Sequence, residues 1–130
     1  MSAVTRPRPQ QVGRFYLLLT AGLAAWVVVL ALRLPTHHVA AHYALAWTGF
    51  DVALAVAMAA TGLLAVRRRP AVVLPATTTG ALLVADAWFD VTTSSGGGLL
   101  AAVAMAALVE LPLAVLSFVV AHRALRRATR

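Results

Sequence analysis

The chain contains no cysteine and no lysine, and only four of its 130 residues are acidic. Without cysteine there are no disulfides and no thiolate metal sites. All eleven basic residues are arginine. With the heavy use of Ala, Val and Leu, that bias points to a GC-rich bacterial genome. Several chemistries are also unsupported. The segment TSSGGG has neither the strand-to-helix setting nor the lysine of a phosphate-binding loop. HExxH, GxSxG and haem-attachment motifs do not occur, and Ser94 and Ser95 have no neighbouring histidine base. No cofactor is indicated.

What is present is apolar surface. Hydrophobic residues make up 62% of the chain, too many for the interior of a soluble domain this small. A polytopic membrane protein is the class that accommodates them. The net charge of +7 does not indicate a nucleic-acid partner. The arginines flank apolar runs in small groups, and no basic face is interleaved with aromatics.

Four apolar runs each reach the roughly 20 residues that a helix needs to cross a bilayer. They cover about 15–34, 42–66, 71–92 and 98–121, bracketed by Pro35, by Arg67-Arg68-Arg69-Pro70 and by the basic C-terminal tail. The expected fold is all-α: one four-helix up-down-up-down bundle over 14–122, with a disordered basic tail at 1–13 and a basic tail at 123–130. The first run is longer than the apolar core of a signal peptide and is read as a span. Arg6, Arg8, Arg14, Arg67, Arg68, Arg69, Arg123, Arg126, Arg127 and Arg130 fall on one side of these spans, and only Arg33 on the other. The positive-inside rule then places both termini and the 67–70 loop on the cytoplasmic side of a bacterial plasma membrane. Rows of small residues, Gly49-Ala53-Ala57 and Ala102-Ala106, suit close helix packing, within one chain or in a homo-oligomer or larger membrane complex.

The acids carry the most information. Asp51, Asp86, Asp90 and Glu110 all fall inside the spans and none in a tail. A carboxylate at the centre of a spanning helix costs about 2.5–3.5 kcal/mol on insertion scales, so such residues are presumed functional. At 100° per residue, Asp86 and Asp90 share a side of their helix with Thr79 and Thr93. Asp51 shares one with Ala44, Thr48, Ala55 and Gly62; Glu110 with Ala106, Ala114 and Ser117; and Tyr16 with Thr20 and Ala24. These faces are expected to meet inside the bundle. Counted inward from the span ends at 1.5 Å per residue, Asp90 stands at the outer mouth and Asp86 about two turns deep, with Asp51 roughly 13 Å and Glu110 about 18 Å in. The expectation is a graded acidic cleft open to the exterior. The hydroxyls and the indoles of Trp47 and Trp88 are available to support it, and Trp88 and Phe89 suit an interfacial anchor. Pro112, two residues past Glu110, removes the backbone bond to the Leu108 carbonyl and kinks the helix. Pro75 with Thr77-Thr78-Thr79-Gly80 could loosen the third span at a depth near Glu110.

His38 and His42 are spaced i, i+4, a spacing able to bind a metal, and His37 falls on the Asp51 side of a second span extended backwards. The set lacks a third fixed ligand.

The combination WTGFDV at 47–52, ADAWFDV at 85–91 and VELPL at 109–113 resembles a group of small, uncharacterised four-helix integral membrane proteins of actinobacteria. The resemblance covers about residues 43–125. It implies the same fold and origin, and no reaction.

Three functional readings follow. In the first, the intramembrane acids bind a proton, a metal ion or a cationic small ligand from the outer side, as in a small transporter or transporter subunit. In the second, Glu110 or Asp51 acts as general acid–base of a membrane enzyme on a lipid-like substrate. In the third, the chain is a structural or accessory subunit of a membrane complex.

Overall fold

The computed structural model describes residues 41–129 together with Ala25, Val28 and Leu32. The N-terminal tail, most of the first span with Tyr16 and Thr20, and His37 and His38 lie outside the described residues. Contacts divide the chain between Ala41 and His42, and the account below concerns the second unit.

Among the described residues the fold is all-helical, without strands. Helix α1 spans Tyr43–Val66. A single 3-10 turn, Pro70–Val72, leads into α2, Val73–Thr93. Proline suits the first position of that turn, where its missing N–H removes no helical bond. Beyond a short link, α3 (Gly97–Met105), a π turn (Ala106–Glu110) and α4 (Leu111–Ala128) form one continuous helix. The three helical stretches Tyr43–Val66, Pro70–Thr93 and Gly97–Ala128 are 24, 24 and 32 residues long, each long and apolar enough to cross a membrane. The expected fourth span, 15–34, falls outside the described residues apart from three helical positions, Ala25, Val28 and Leu32.

Helix α2 is the shared packing partner of α1 and of the long helix. Between α1 and α2, Trp47 meets Phe89, Leu54 packs with Leu83, and Thr61 meets Thr79. Between α2 and α4, Leu83 packs with Ala114, Gly80 meets Phe118, and Ala76 packs with Ala121. Low numbers pair with high numbers in both interfaces, so consecutive helices run antiparallel.

The interior is made of small groups. Ala57, Ala76, Ala87, Ala102, Ala106, Ala114 and Ala121 are buried, alongside Thr79 and Ser117. Gly80 is required by packing, because a Cβ there would lie 2.8 Å from the Phe118 ring. Apart from the buried Leu54, Val72 and Leu83, most large apolar side chains face outward: Leu74, Leu100 and Leu108 are each 76% exposed. Small residues inside and leucine outside is the arrangement expected in lipid, where close backbone approach, not removal of leucine from water, drives association.

Two expectations about faces change. The stripe Ala44, Thr48, Ala55 and Gly62 was expected inside but is exposed. Helix α1 is apolar all round, so its pattern does not specify a side; packing against α2 selects Leu54, Ala57 and Thr61 instead. Pro75 lies in the first turn of α2, where Thr77 and Thr78 donate back to the Val73 and Leu74 carbonyls at 2.8 and 3.0 Å. It is about three turns from the level of Glu110, so it cannot approach that residue.

Thr61 and Thr79 bring their hydroxyls within 3.1 Å across the α1–α2 interface. Thr61 donates to the Ala57 carbonyl at 2.8 Å, which leaves the Thr79 hydroxyl to donate to Thr61. In this cysteine-free chain, Thr61→Cys with Thr79→Cys is expected to lose both free thiols on mild oxidation in membranes, read by mass spectrometry after thiol alkylation. Thr61→Cys with Thr77→Cys, exposed on the opposite side of α2 from Thr79, should keep both.

Candidate acidic site

The π turn decides where Glu110 points. Pro112 has no N–H for the Leu108 carbonyl, and its ring crowds that carbonyl. The helix responds by widening just before it: the Leu111 N–H reaches back five residues to the Ala106 carbonyl. One extra residue is thereby accommodated without breaking the helix. In a uniform α-helix Ala102 and Ala114 would diverge by about 120°, whereas the inserted residue removes about 100° of that. Ala102, Ala106, Glu110, Ala114, Ser117 and Ala121 consequently form one buried line facing α2. The expected Ala106–Glu110–Ala114–Ser117 face is therefore present, and the π turn keeps it continuous.

The antiparallel register sets the levels. Trp47 opposite Phe89 and Leu54 near Leu83 place Asp51 level with Asp86. Leu83 near Ala114 and Gly80 against Phe118 place Glu110 at the same level. Asp90 is one turn further toward the 94–96 link. The graded descent becomes a layer, because counting from span ends assumes that all helices begin at one height. The long helix in fact starts about two turns beyond the end of α2.

The register thus places Asp51, Asp86 and Glu110 at one level, with Asp90 one turn away. Burial differs sharply: Glu110 is 6% exposed, Asp86 and Asp90 are half-buried, and Asp51 is exposed. Asp51 therefore flanks the interior, a correction to the expectation that all four acids turn inward. Glu110 Oε2 is, among the described residues, the one buried side-chain nitrogen or oxygen without a hydrogen-bond partner.

The supporting residues separate. Thr79 is buried but engages Thr61, about two turns from the acids. Thr48 is exposed and Trp88 is 68% exposed. Pro112 acts on Glu110 through the backbone. Trp47, on α1, has a packing role beyond the support expected of its indole. Its ring meets Tyr43, Phe50 and Phe89 edge-on at centroid distances of 6.0, 6.3 and 6.1 Å. Phe89, expected as a lipid-facing anchor, thus pairs across the helices. Tyr43, Ala46, Trp47, Phe50, Phe89 and Thr93 line an open groove of about 320 Å³, one turn from the acid layer toward the 94–96 link. The i, i+4, i+7 spacing of Tyr43, Trp47 and Phe50 was the available signal. No carboxyl lines this groove or the apolar one beside Ala53, Ala57 and Pro75.

Among the described residues, no three His, Asp or Glu side chains gather to hold a metal ion. His42 has a left-handed backbone (φ 59°) immediately before α1. Helix α1 begins after it, at Tyr43, and His37 and His38 lie outside the described residues. Comparison with family models, curated proteins and solved structures finds no match.

A buried oxygen without a partner destabilises its surroundings. Glu110→Met is expected to raise the melting temperature in detergent, corresponding to about 1–3 kcal/mol. Glu110→Gln, which leaves a polar amide in place, should raise it less. A lower melting temperature for Glu110→Met would show that the carboxyl is held by a stabilising partner.

Proposed function

We propose that this is a multi-pass bacterial plasma-membrane protein whose acid layer accepts a proton or a small organic cation from the outer side, as a small transporter or transporter subunit. Its kinship with the small actinobacterial four-helix proteins is part of the same proposal. The observation that carries the reading is Glu110: buried, with Oε2 unpartnered, and at the level of Asp86. A carboxylate in that setting has either to take a proton or to be neutralised by a cation.

The ligand class follows from what surrounds the layer. A bare metal ion needs several oxygens converging on one point, and the described residues offer no such group. An ammonium or similar cation needs less. The aromatic groove supplies ring faces that attract it, and the carboxyls one turn deeper supply the charge. The arginines flanking the spans favour an orientation with this end outside and the termini in the cytoplasm. A bundle this small offers little room for a pathway, so the transporter reading includes a homo-oligomer.

Carbodiimide labelling followed by mass spectrometry tests the site. Dicyclohexylcarbodiimide is expected to modify Glu110, and benzyltrimethylammonium to slow the modification. Trp47→Ala should abolish most of that protection while leaving the unprotected labelling rate unchanged. Labelling that ignores every cation and every change of pH would end the proposal.

A further inference from the structure

The opposite end of the molecule is built from arginine. Helix α1 ends at Val66, and the Arg68 N–H donates to the Ala65 carbonyl at 3.0 Å while the Arg69 N–H donates to the Leu64 carbonyl at 2.9 Å. This pair of bonds is the Schellman closure of a helix end. Its left-handed position normally holds glycine, because a side chain there is strained. Here it holds Arg68, with φ at 49°. Closing the helix does not call for an arginine at that position; a glycine would do so with less strain.

The turn carries Arg68 and Arg69 to the last turn of α4. Together with Ala65, Pro70, Ala124, Arg127 and Ala128 they line a pocket of about 420 Å³. Asp51, Asp86, Asp90 and Glu110 all lie beyond the Thr61–Thr79 level, in the other half of the bundle, so no aspartate or glutamate side chain lies at this end. Alanines and a proline complete the lining, and Leu63, Val66 and Leu125, in the adjoining helical turns, are 51%, 83% and 51% exposed.

We infer that Arg68, Arg69 and Arg127 form a binding site for the phosphate of an anionic phospholipid, whose acyl chains run down the exposed apolar surface of α1 and α4. Guanidinium groups match phosphate oxygens in pairs, and basic pockets between spanning helices suit such head groups. Arginines near helix C-termini also complement the helix dipole, but that role does not explain a left-handed arginine or a shared pocket. The apolar lining favours a lipid over free phosphate. This inference does not depend on the acid layer.

The test is native mass spectrometry of the intact chain with equal dioleoylphosphatidylglycerol and dioleoylphosphatidylcholine. Phosphatidylglycerol is expected to stay bound preferentially. Arg68→Gly and Arg127→Ala should each lower its bound fraction about fivefold, the scale expected for one arginine near an anionic lipid. Arg67→Ala, which alters a residue outside the pocket lining, should lower it less. Because Arg68→Gly relieves the left-handed strain, its melting temperature in phosphatidylcholine should not fall. Equal loss from Arg67→Ala would reduce the effect to general surface charge and overturn the inference. So would unchanged binding by Arg68→Gly with Arg127→Ala. Displacement of the lipid by inorganic phosphate would do the same, by identifying a soluble anion as the ligand.

Discussion

A buried carboxyl among alanines needs the backbone to hold it in place, and here one proline does so. Pro112 withholds a hydrogen-bond donor from the Leu108 carbonyl, and the helix compensates with a π turn over Ala106–Glu110. The extra residue rotates the preceding segment so that Ala102, Ala106 and Glu110 continue the line of Ala114, Ser117 and Ala121. That line is what packs on α2. The same local feature thus joins the two halves of the long helix into one interface and sends Glu110 inward at the level of Asp86.

Helix α2 has the second organising role. It offers Ala76, Thr79, Gly80, Leu83 and Ala87 as a narrow, mostly small-residue surface, and both neighbouring helices settle on it. Close approach is possible because Gly80 leaves space for Phe118 and because two threonines satisfy each other across α1 and α2. The result separates charge along the bundle. Carboxyls lie toward the 94–96 link, behind an aromatic groove, and guanidinium groups gather at the opposite end around Arg68, Arg69 and Arg127. Among the described residues, this separation holds the acids and the arginines at opposite ends, too far apart to pair.

Much of this was legible from residue order. The apolar runs had the length of spans, and three of them are helices: two within a residue of the expected limits, the third running on to Ala128, through most of the stretch expected as a basic tail. The Ala106–Glu110–Ala114–Ser117 stripe could be read from helical periodicity, because it interrupts leucine-rich surface with small or polar groups; of the expected Thr79–Asp86–Asp90–Thr93 stripe on α2 only Thr79 is fully buried, while Asp86 and Asp90 are half-buried and Thr93 is exposed. Helix α1 resisted the same reading. It is apolar on every side, so the Asp51–Thr48–Gly62 stripe looked as plausible inside as the Leu54–Ala57–Thr61 stripe that packs. The relative heights of the acids were also out of reach, since register depends on side chains meeting across helices. For the same reason the pairing of Trp47 with Phe89, 42 positions apart in the numbering, had no signature in either segment alone.

Composition and spacing alone determined that the chain is helical, apolar enough for lipid, short of acids and supplied with arginine only at the edges of its apolar runs. These properties belong to single helices and their periodicity. Tertiary structure decided that Asp51, Asp86 and Glu110 share a level, that only Glu110 is fully buried, and that Arg68 and Arg127 line one pocket. Those outcomes depend on which faces pack and in what register, and packing free energy is a property of pairs of helices.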